Sequence, residues 1–314
     1  MSGPQTIALL IPAWNAAAWL PRLLASAQAQ THPFDAIWVY DDCSTDDTAA
    51  VAKAHGATVL RGAVNRGCSA GKNALAAQVD ADWLHFHDAD DALLPNFVEL
   101  ARGWIDRGAP DVVLFDYEYR DNDTGELLAR RRFDHAALTA DPRGYAISEQ
   151  INAICGLYRR SAYLAAGGYD EDPAVLFNED VAFHIKLAFA GLTFGAENEV
   201  SIINYRIGGS MSGANQHNCL LAHHEVMQRT LARHDAAPFR TDIAAKLWAV
   251  AGRLAAYGDW TAADRAAQTA AAIAPPDAAA GSALFRALAQ VSPALALRTR
   301  ERWVRLTRPG LRAA

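Results

Sequence analysis

The stretch ADWLHFHDADDALLP, residues 81–95, decides the fold. Its first half, ADWLHF, reads as a buried strand. Directly after it, Asp88, Asp90 and Asp91 place three carboxylates within four positions. Like charges this close repel by about 1 kcal/mol per pair even in water, and by more where water is scarce. The cluster is therefore either a solvated turn or a place built to hold a cation. If the backbone is extended here, Asp88 and Asp90 project to the same side. Hard carboxylate oxygens suit Mg2+ or Mn2+, which keep waters and take substrate phosphates as further ligands.

Working outward, strand-like and helix-like segments alternate on both sides of this stretch. TIALLIP (6–12), DAIWVYDD (35–42), ATVLRG (57–62) and PDVVLFDYEY (110–119) are strand signals. Between them, AAAWLPRLLASAQAQ (16–30), TDDTAAVAKAHG (45–56), SAGKNALAAQVD (69–80) and PNFVELARGWIDRG (95–108) have helical spacing or capping residues. Strands without polar alternation, each followed by a helix, predict an α/β fold with a mostly parallel sheet covered on both faces. After residue 218 the composition shifts to Ala-rich helix. The chain is thus expected to divide into an α/β domain over 1–217 and an α-helical region with a basic tail over 218–314.

Ligands of open parallel sheets bind at the carboxyl ends of the strands. Four unusual groups fall there: IPAWN (11–15), DDCSTDD (41–47), NRGCSAGKN (65–73) and HDADD (87–91). An Asp pair beside an aromatic such as Trp14 suits a heterocyclic base, since the ring stacks and a carboxylate accepts from a ring N–H. Lys72 and the first turn of its helix suit a phosphate. Together the groups describe one site for a nucleoside diphosphate with a metal. Each has a plainer reading alone: Trp14 as packing, DDCSTDD as a helix cap, Lys72 as a solvated charge.

In combination, IPAWN, VYDDCSTDDT, NRGCSAGKNAL and HDADDALLP resemble the successive motifs of family 2 glycosyltransferases with the GT-A fold, over roughly residues 5–210. The resemblance implies a metal-dependent, inverting transferase of hexosyltransferase type. It would move a sugar from a nucleotide-sugar, expected to be a UDP-sugar, to a hydroxyl of a glycan or other acceptor, as in cell-surface polysaccharide biosynthesis. By that resemblance Pro12, Trp14, Asn15, Asp41 and Asp42 line the donor site around the base. The Asp-x-Asp run Asp88, Ala89, Asp90 binds the divalent cation and the ribose-diphosphate, with Asp90 the metal ligand and Asp88 beside ribose or metal. Asp91 is read as structural, capping the turn before Pro95. Lys72 stands where the family has Arg, which keeps the charge and loses bidentate pairing.

The family also implies a catalytic base in a Glu-Asp pair at a helix start, and VLFNEDVAFHIKLAFAG (175–191) supplies one. Asp180 is the expected base, held ionised by the helix dipole, and Glu179 a neighbour that orients the acceptor. YRIGGSMSG (205–213) resembles the glycine-containing segment that follows, a mobile flap in which Arg206 meets the diphosphate. His217 is a further candidate metal ligand.

The remaining composition bounds the alternatives. A formal net charge of −6 over 314 residues argues against a nucleic-acid binder working by bulk electrostatics. No G-x-G-x-x-G follows the first strand, which disfavours a dinucleotide-binding oxidoreductase. A non-catalytic nucleotide-sugar or glycan-binding relative of the same fold is the competing reading, disfavoured by the intact Asp88, Asp90 and Asp180. Four widely spaced cysteines without a CxxC pair fit a reduced cytoplasmic chain. The N-terminal stretch lacks the basic region and long apolar run of a signal peptide, and no transmembrane span is expected. LRTRERWVRLTRPGLR (297–312) admits two readings, peripheral contact with an anionic membrane at its inner face or a solvated helix packed on its own domain.

Overall fold

A computed structural model describes residues 3–208, 211–277, 281–308 and 310. The first βα run is β1 (Ile7–Ala13), α1 (Leu20–Gln28), β2 (Ala36–Asp41), α2 (Thr48–Ala54), β3 (Thr58–Arg61), α3 (Cys68–Gln78) and β4 (Trp83–Phe86). There follow β5 (Ala92–Leu93), α4 (Phe97–Asp106), β6 (Val112–Asp121), β7 (Leu127–Arg131), α5 (His135–Ala140), α6 (Pro142–Ser148), β8 (Gly156–Arg159), α7 (Arg160–Ala165), α8 (Glu179–Phe189) and β9 (Phe194–Arg206). The last helices are α9 (Met211–Ala214), α10 (Gln216–Leu231), α11 (Arg240–Tyr257), α12 (Trp260–Ala271), α13 (Ala283–Val291) and α14 (Pro293–Thr307).

The strands form one sheet in the order β3-β2-β1-β4-β8-β6-β9-β5, with β7 paired to β6. β1 pairs in parallel with β2 and β4, β2 with β3, and β6 with β9. β8 lies antiparallel between β4 and β6, and β5 and β7 are also antiparallel to their neighbours. Six of the nine strands among the described residues therefore share one direction, and the sheet matches the mostly parallel GT-A arrangement. The all-apolar face of β1 explains its central place: Ile7 to Ile11 are fully buried, as are Leu84 and Phe86 of β4. A strand covered on both faces needs no polar alternation.

By contacts the chain forms two compact units. The first comprises 1–146, 151–171 and 182–210 and holds the sheet. The second comprises 147–150, 172–181 and 211–314. Its helices carry local stop and start signals: Gly258 ends α11 in the left-handed conformation, Asp259 caps α12 by accepting from the Ala262 amide, and Ser292 with Pro293 starts α14. Its core combines large side chains, Ile243, Leu247, Trp248 and Leu254, with small ones, Ala251, Ala255, Ala263, Ala266, Ala267 and Ala270 all being buried. Among the described residues no helix is long and apolar enough to cross a membrane.

Candidate active site

The loops leaving β1 and β2 are stitched together. Asn15, at φ +49°, donates its amide to Ser44 Oγ (2.9 Å), and its own Oδ1 accepts from the Thr45 amide (2.9 Å). The Ala16 amide donates to Thr48 Oγ1 (2.8 Å) and the Ala17 amide to Asp46 Oδ2 (3.0 Å). Asn is among the residues that tolerate this backbone region. The result is a fixed loop from which the Trp14 indole projects 57% exposed. A large exposed aromatic on a rigid loop at a strand's carboxyl end is free to stack on a ligand ring.

Asp41 and Asp42 are both buried, and protein donors engage both. Asp41 accepts from the Ser44 amide (2.9 Å) and faces Arg61 Nε at 3.2 Å. Asp42 accepts from the amides of Arg66 (2.9 Å) and Gly67 (2.7 Å). Its charge thus lies at the entry to α3, where the helix dipole favours it. Lys72 is buried, with Nζ 4.6 Å from the centre of the Tyr169 ring. The plain reading of Lys72 as a solvated charge is therefore incorrect: this cation sits over an aromatic face.

The carboxylate cluster departs from the extended geometry considered above. β4 stops at Phe86, and the Asp91 amide donates to the Asp88 carbonyl (3.2 Å), so Asp88 to Asp91 form a turn. Asp88 and Asp90 are half-buried. Burial pushes the Asp90 carboxyl above its ordinary range, against the opposing pull of its own amide and of Arg22. Asp91 is buried and separates from the other two. Its Oδ2 accepts from Asn204 Nδ2 and its Oδ1 from the Tyr205 amide, both at 2.7 Å, so it ties the turn to β9. The expected capping role before Pro95 is replaced by this cross-link. Burial, then the charges of Asp88 and Asp90, hold the Asp91 carboxyl well above its ordinary range.

Two residues place this turn without having stood out in the sequence. Arg22 of α1 donates through Nη2 to the Asp90 carbonyl and through Nη1 to Asn122 Oδ1 (2.9 Å), and its guanidinium lies 3.7 Å over the Tyr205 ring. An arginine on an amphipathic helix reads as a solvated charge, and only the fold shows what it reaches. His85 of β4 bonds to the Gly156 carbonyl through Nδ1 (2.9 Å) and to His87 Nδ1 through Nε2 (3.0 Å). Both rings are fully buried.

Asp88 and Asp90 present the hard oxygen donors that Mg2+ or Mn2+ prefers, on carboxyls whose burial favours a neutralising partner. Among the described residues no group of three or more His, Cys, Asp or Glu gathers as a metal cage. A site of two carboxylates completed by water and substrate phosphates fits that finding. His217 lies in the second unit, where its Nε2 meets Asp259 Oδ2 at 2.9 Å. Arg206 ends β9 with its guanidinium 4.0 Å over the Tyr119 ring. The flap positions Gly209 and Ser210 lie outside the described residues.

Glu179 and Asp180 form the first turn of α8, within the part of the chain that belongs to the second unit. Phe177 before them has φ +71°, a costly conformation for a bulky side chain and one that recurs at functional sites. Asn178 donates from Nδ2 to the Cys219 carbonyl (3.0 Å), fixing the approach to the helix. Glu179 is buried and Asp180 half-buried. Burial, then the Glu179 charge, pushes the Cys219 thiol up.

Comparison with known proteins bears on the family and the fold. The family described as Glycosyl transferase family 2 matches residues 8–164. An uncharacterized glycosyltransferase of Haemophilus influenzae is 32% identical over 95 residues, which is 30% of this chain and only 32% of that protein. The chain therefore spans about a third of that relative's length. Among solved structures, S. aureus TarS 1-349 in complex with UDP-GlcNAc superposes with a TM-score of 0.71 at 16% identity, covering 96% of this chain and 92% of that one. The mannosyltransferase PcManGT from Pyrobaculum calidifontis, in complex with GDP-Man and Mn2+, superposes with a TM-score of 0.60 at 16% identity, covering 96% and 88%. At these identities the structures show a shared fold. With half of the chain matched and the strand-end motifs in their places, this protein belongs to glycosyl transferase family 2.

Proposed function

We propose that the protein transfers a sugar from a nucleoside-diphosphate sugar, a UDP-sugar, to a hydroxyl acceptor with inversion at the anomeric carbon. The observation that carries this reading is the turn Asp88–Asp91, with its two half-buried carboxylates at the carboxyl end of β4. The UDP-GlcNAc and GDP-Man held by TarS and PcManGT support a donor of this chemical class. Trp14 stacks on the base. The charges of Asp41 and Asp42 shape the site from behind the loop that carries Trp14, and Pro12, Asn15 and Ala89 contribute backbone and packing. Lys72 and Arg206 supply positive potential for the diphosphate.

Asp88 and Asp90 hold Mn2+ or Mg2+ in this reading, which supplies Lewis-acid neutralisation of the charge that grows on the leaving diphosphate. Asp180, in the first turn of α8, takes the proton from the acceptor hydroxyl, while Glu179 orients the acceptor. One carboxylate acting at the sugar is what an inverting displacement requires. A glycan, including a cell-surface polysaccharide, is the acceptor class proposed.

The test separates binding from chemistry. Asp90→Asn is expected to weaken Mn2+ binding at least tenfold, read from the free-ion paramagnetic resonance signal. Asp180→Asn is expected to leave Mn2+ and UDP binding intact and to abolish sugar transfer, the base contributing about 10²–10⁴-fold. Transfer by Asp180→Asn at the wild-type rate would remove Asp180 from the mechanism.

A further inference from the structure

The second unit ends in a helical pair whose surface does not match the rest of the chain. From residue 281 to 308 there are six arginines and a single acid, Glu301, in a protein whose formal net charge is −6. The same segment exposes large apolar side chains. On α13, Leu284 is 64% and Val291 83% exposed, with Leu288 half-buried between them, while Phe285 and Ala289 take the buried side. On α14, Ala296, Leu297 and Glu301 are buried. Leu295, Trp303 and Leu306 fall within an arc of about 80° on the side opposite Leu297 and Glu301. Trp303 is 68% and Leu306 81% exposed.

The arginines divide by what they touch. Arg298 pairs with Asp264 at 2.8 Å, and Arg305 with the buried Glu301 at 2.8 Å. Arg300 lies over the Phe285 ring, and Arg286 donates to the Gly281 carbonyl. The Arg302 and Arg308 side chains make no hydrogen bond or ion pair among the described residues, and Arg302 lies beside the apolar arc of α14. A soluble helix presents charges outward and apolar residues inward. Here the outward arc carries an indole, two leucines and an unpaired arginine.

We infer that α13 and α14 form a peripheral docking surface for an anionic lipid bilayer. Charge complementarity selects this occupant: the segment is cationic within an acidic chain, so the rest of the protein does not compete for an anionic surface. The apolar arc matches the acyl boundary that an in-plane helix enters, with the indole at headgroup level and arginine stems extending to phosphates. No described helix is able to span the bilayer, so the contact is one of attachment at a face.

Flotation of the full chain with vesicles tests this directly. Vesicles of phosphatidylcholine mixed with phosphatidylglycerol are expected to carry the protein upward at low salt, and pure phosphatidylcholine vesicles to leave it behind. Raising salt to about 1 M shrinks the screening length to about 3 Å and should release it. Arg302→Gln with Arg308→Gln should weaken partitioning about thirtyfold, two charges acting at a surface of this kind. Trp303→Ser with Leu306→Ser should weaken it as well. All four side chains are exposed, so circular dichroism and the melting curve should stay unchanged. Absence of flotation with the anionic vesicles, equal flotation with neutral ones, or insensitivity to both double variants would overturn the inference. Self-association of the wild type that Trp303→Ser/Leu306→Ser abolishes, without vesicle binding, would also overturn it and assign the surface to a second copy.

Discussion

The tautomers of the buried histidine pair follow from one fixed partner. The Gly156 carbonyl only accepts, so His85 Nδ1 must carry a hydrogen; its Nε2 then accepts from His87 Nδ1–H. Both rings are neutral in this chain of bonds. Burial holds the His85 imidazole down at about 4 and His87 well below its ordinary value. A histidine whose folded value is depressed adds stability above its unfolded value, near 6.5, and loses it as pH falls from there toward about 4. The expected outcome is that the His85 ring resonances stay those of the neutral form at pH 5. A midpoint near 6.5 by ring NMR would show that the pair is open to water. The sequence showed His85 within a strand signal and His87 at the start of HDADD, neither with a role, because a histidine's burial depends on neighbours such as Gly156, 71 positions away. Arg22 was unreadable for the same reason. Trp14 and the aspartates, by contrast, could be singled out as a candidate site because their chemistry is local to the loops that carry them.

At the scale of elements, the βα alternation of the first half was readable because each buried strand is a continuous apolar run and each helix has its own signals. The ends moved inward: the strand read over 35–42 runs from Ala36 to Asp41, and the helix read over 45–56 runs from Thr48 to Ala54. Asp46 has left its helix for a turn, where its side-chain oxygen accepts from the Thr48 amide. What no local pattern reveals is the antiparallel insertion of β8 between β4 and β6, since pairing partners are set by tertiary packing. The position of α3 is set by a close approach. A Cβ at Gly71 would lie 2.8 Å from Tyr40 Cδ1 and 3.3 Å from Pro12 Cβ. Gly71→Ala gains up to about 1 kcal/mol in helix propensity, yet overpacking against a buried ring costs about 1–3 kcal/mol. The second effect should win, so the urea midpoint is expected to fall. A rise would mean that Tyr40 swings aside.

For the molecule as a whole, two units with different cores coexist in one chain. The sheet unit buries large aliphatic and aromatic side chains, Leu9, Leu10, Phe86, Phe97 and Phe115 among them. The helical unit combines large side chains of α11, Leu247, Trp248 and Leu254, with a run of alanines on α12. Ala262, Ala263, Ala266, Ala267 and Ala270 of α12 are all buried, and small side chains let α11 and α12 approach closely. Such an interface has little room, because protein interiors are packed as densely as organic crystals. Ala266→Leu adds a branched side chain where the native residue is fully buried, at a cost of about 1–3 kcal/mol. Local opening follows contiguous cooperative units, so the loss should fall where those contacts are made. Hydrogen exchange is therefore expected to quicken in α11, α12 and α14 and to stay unchanged in β1, β2 and β4. Equal loss of protection across β1 and β4 would show that the two cores open as one cooperative body, and the division of the chain would then describe packing without describing stability.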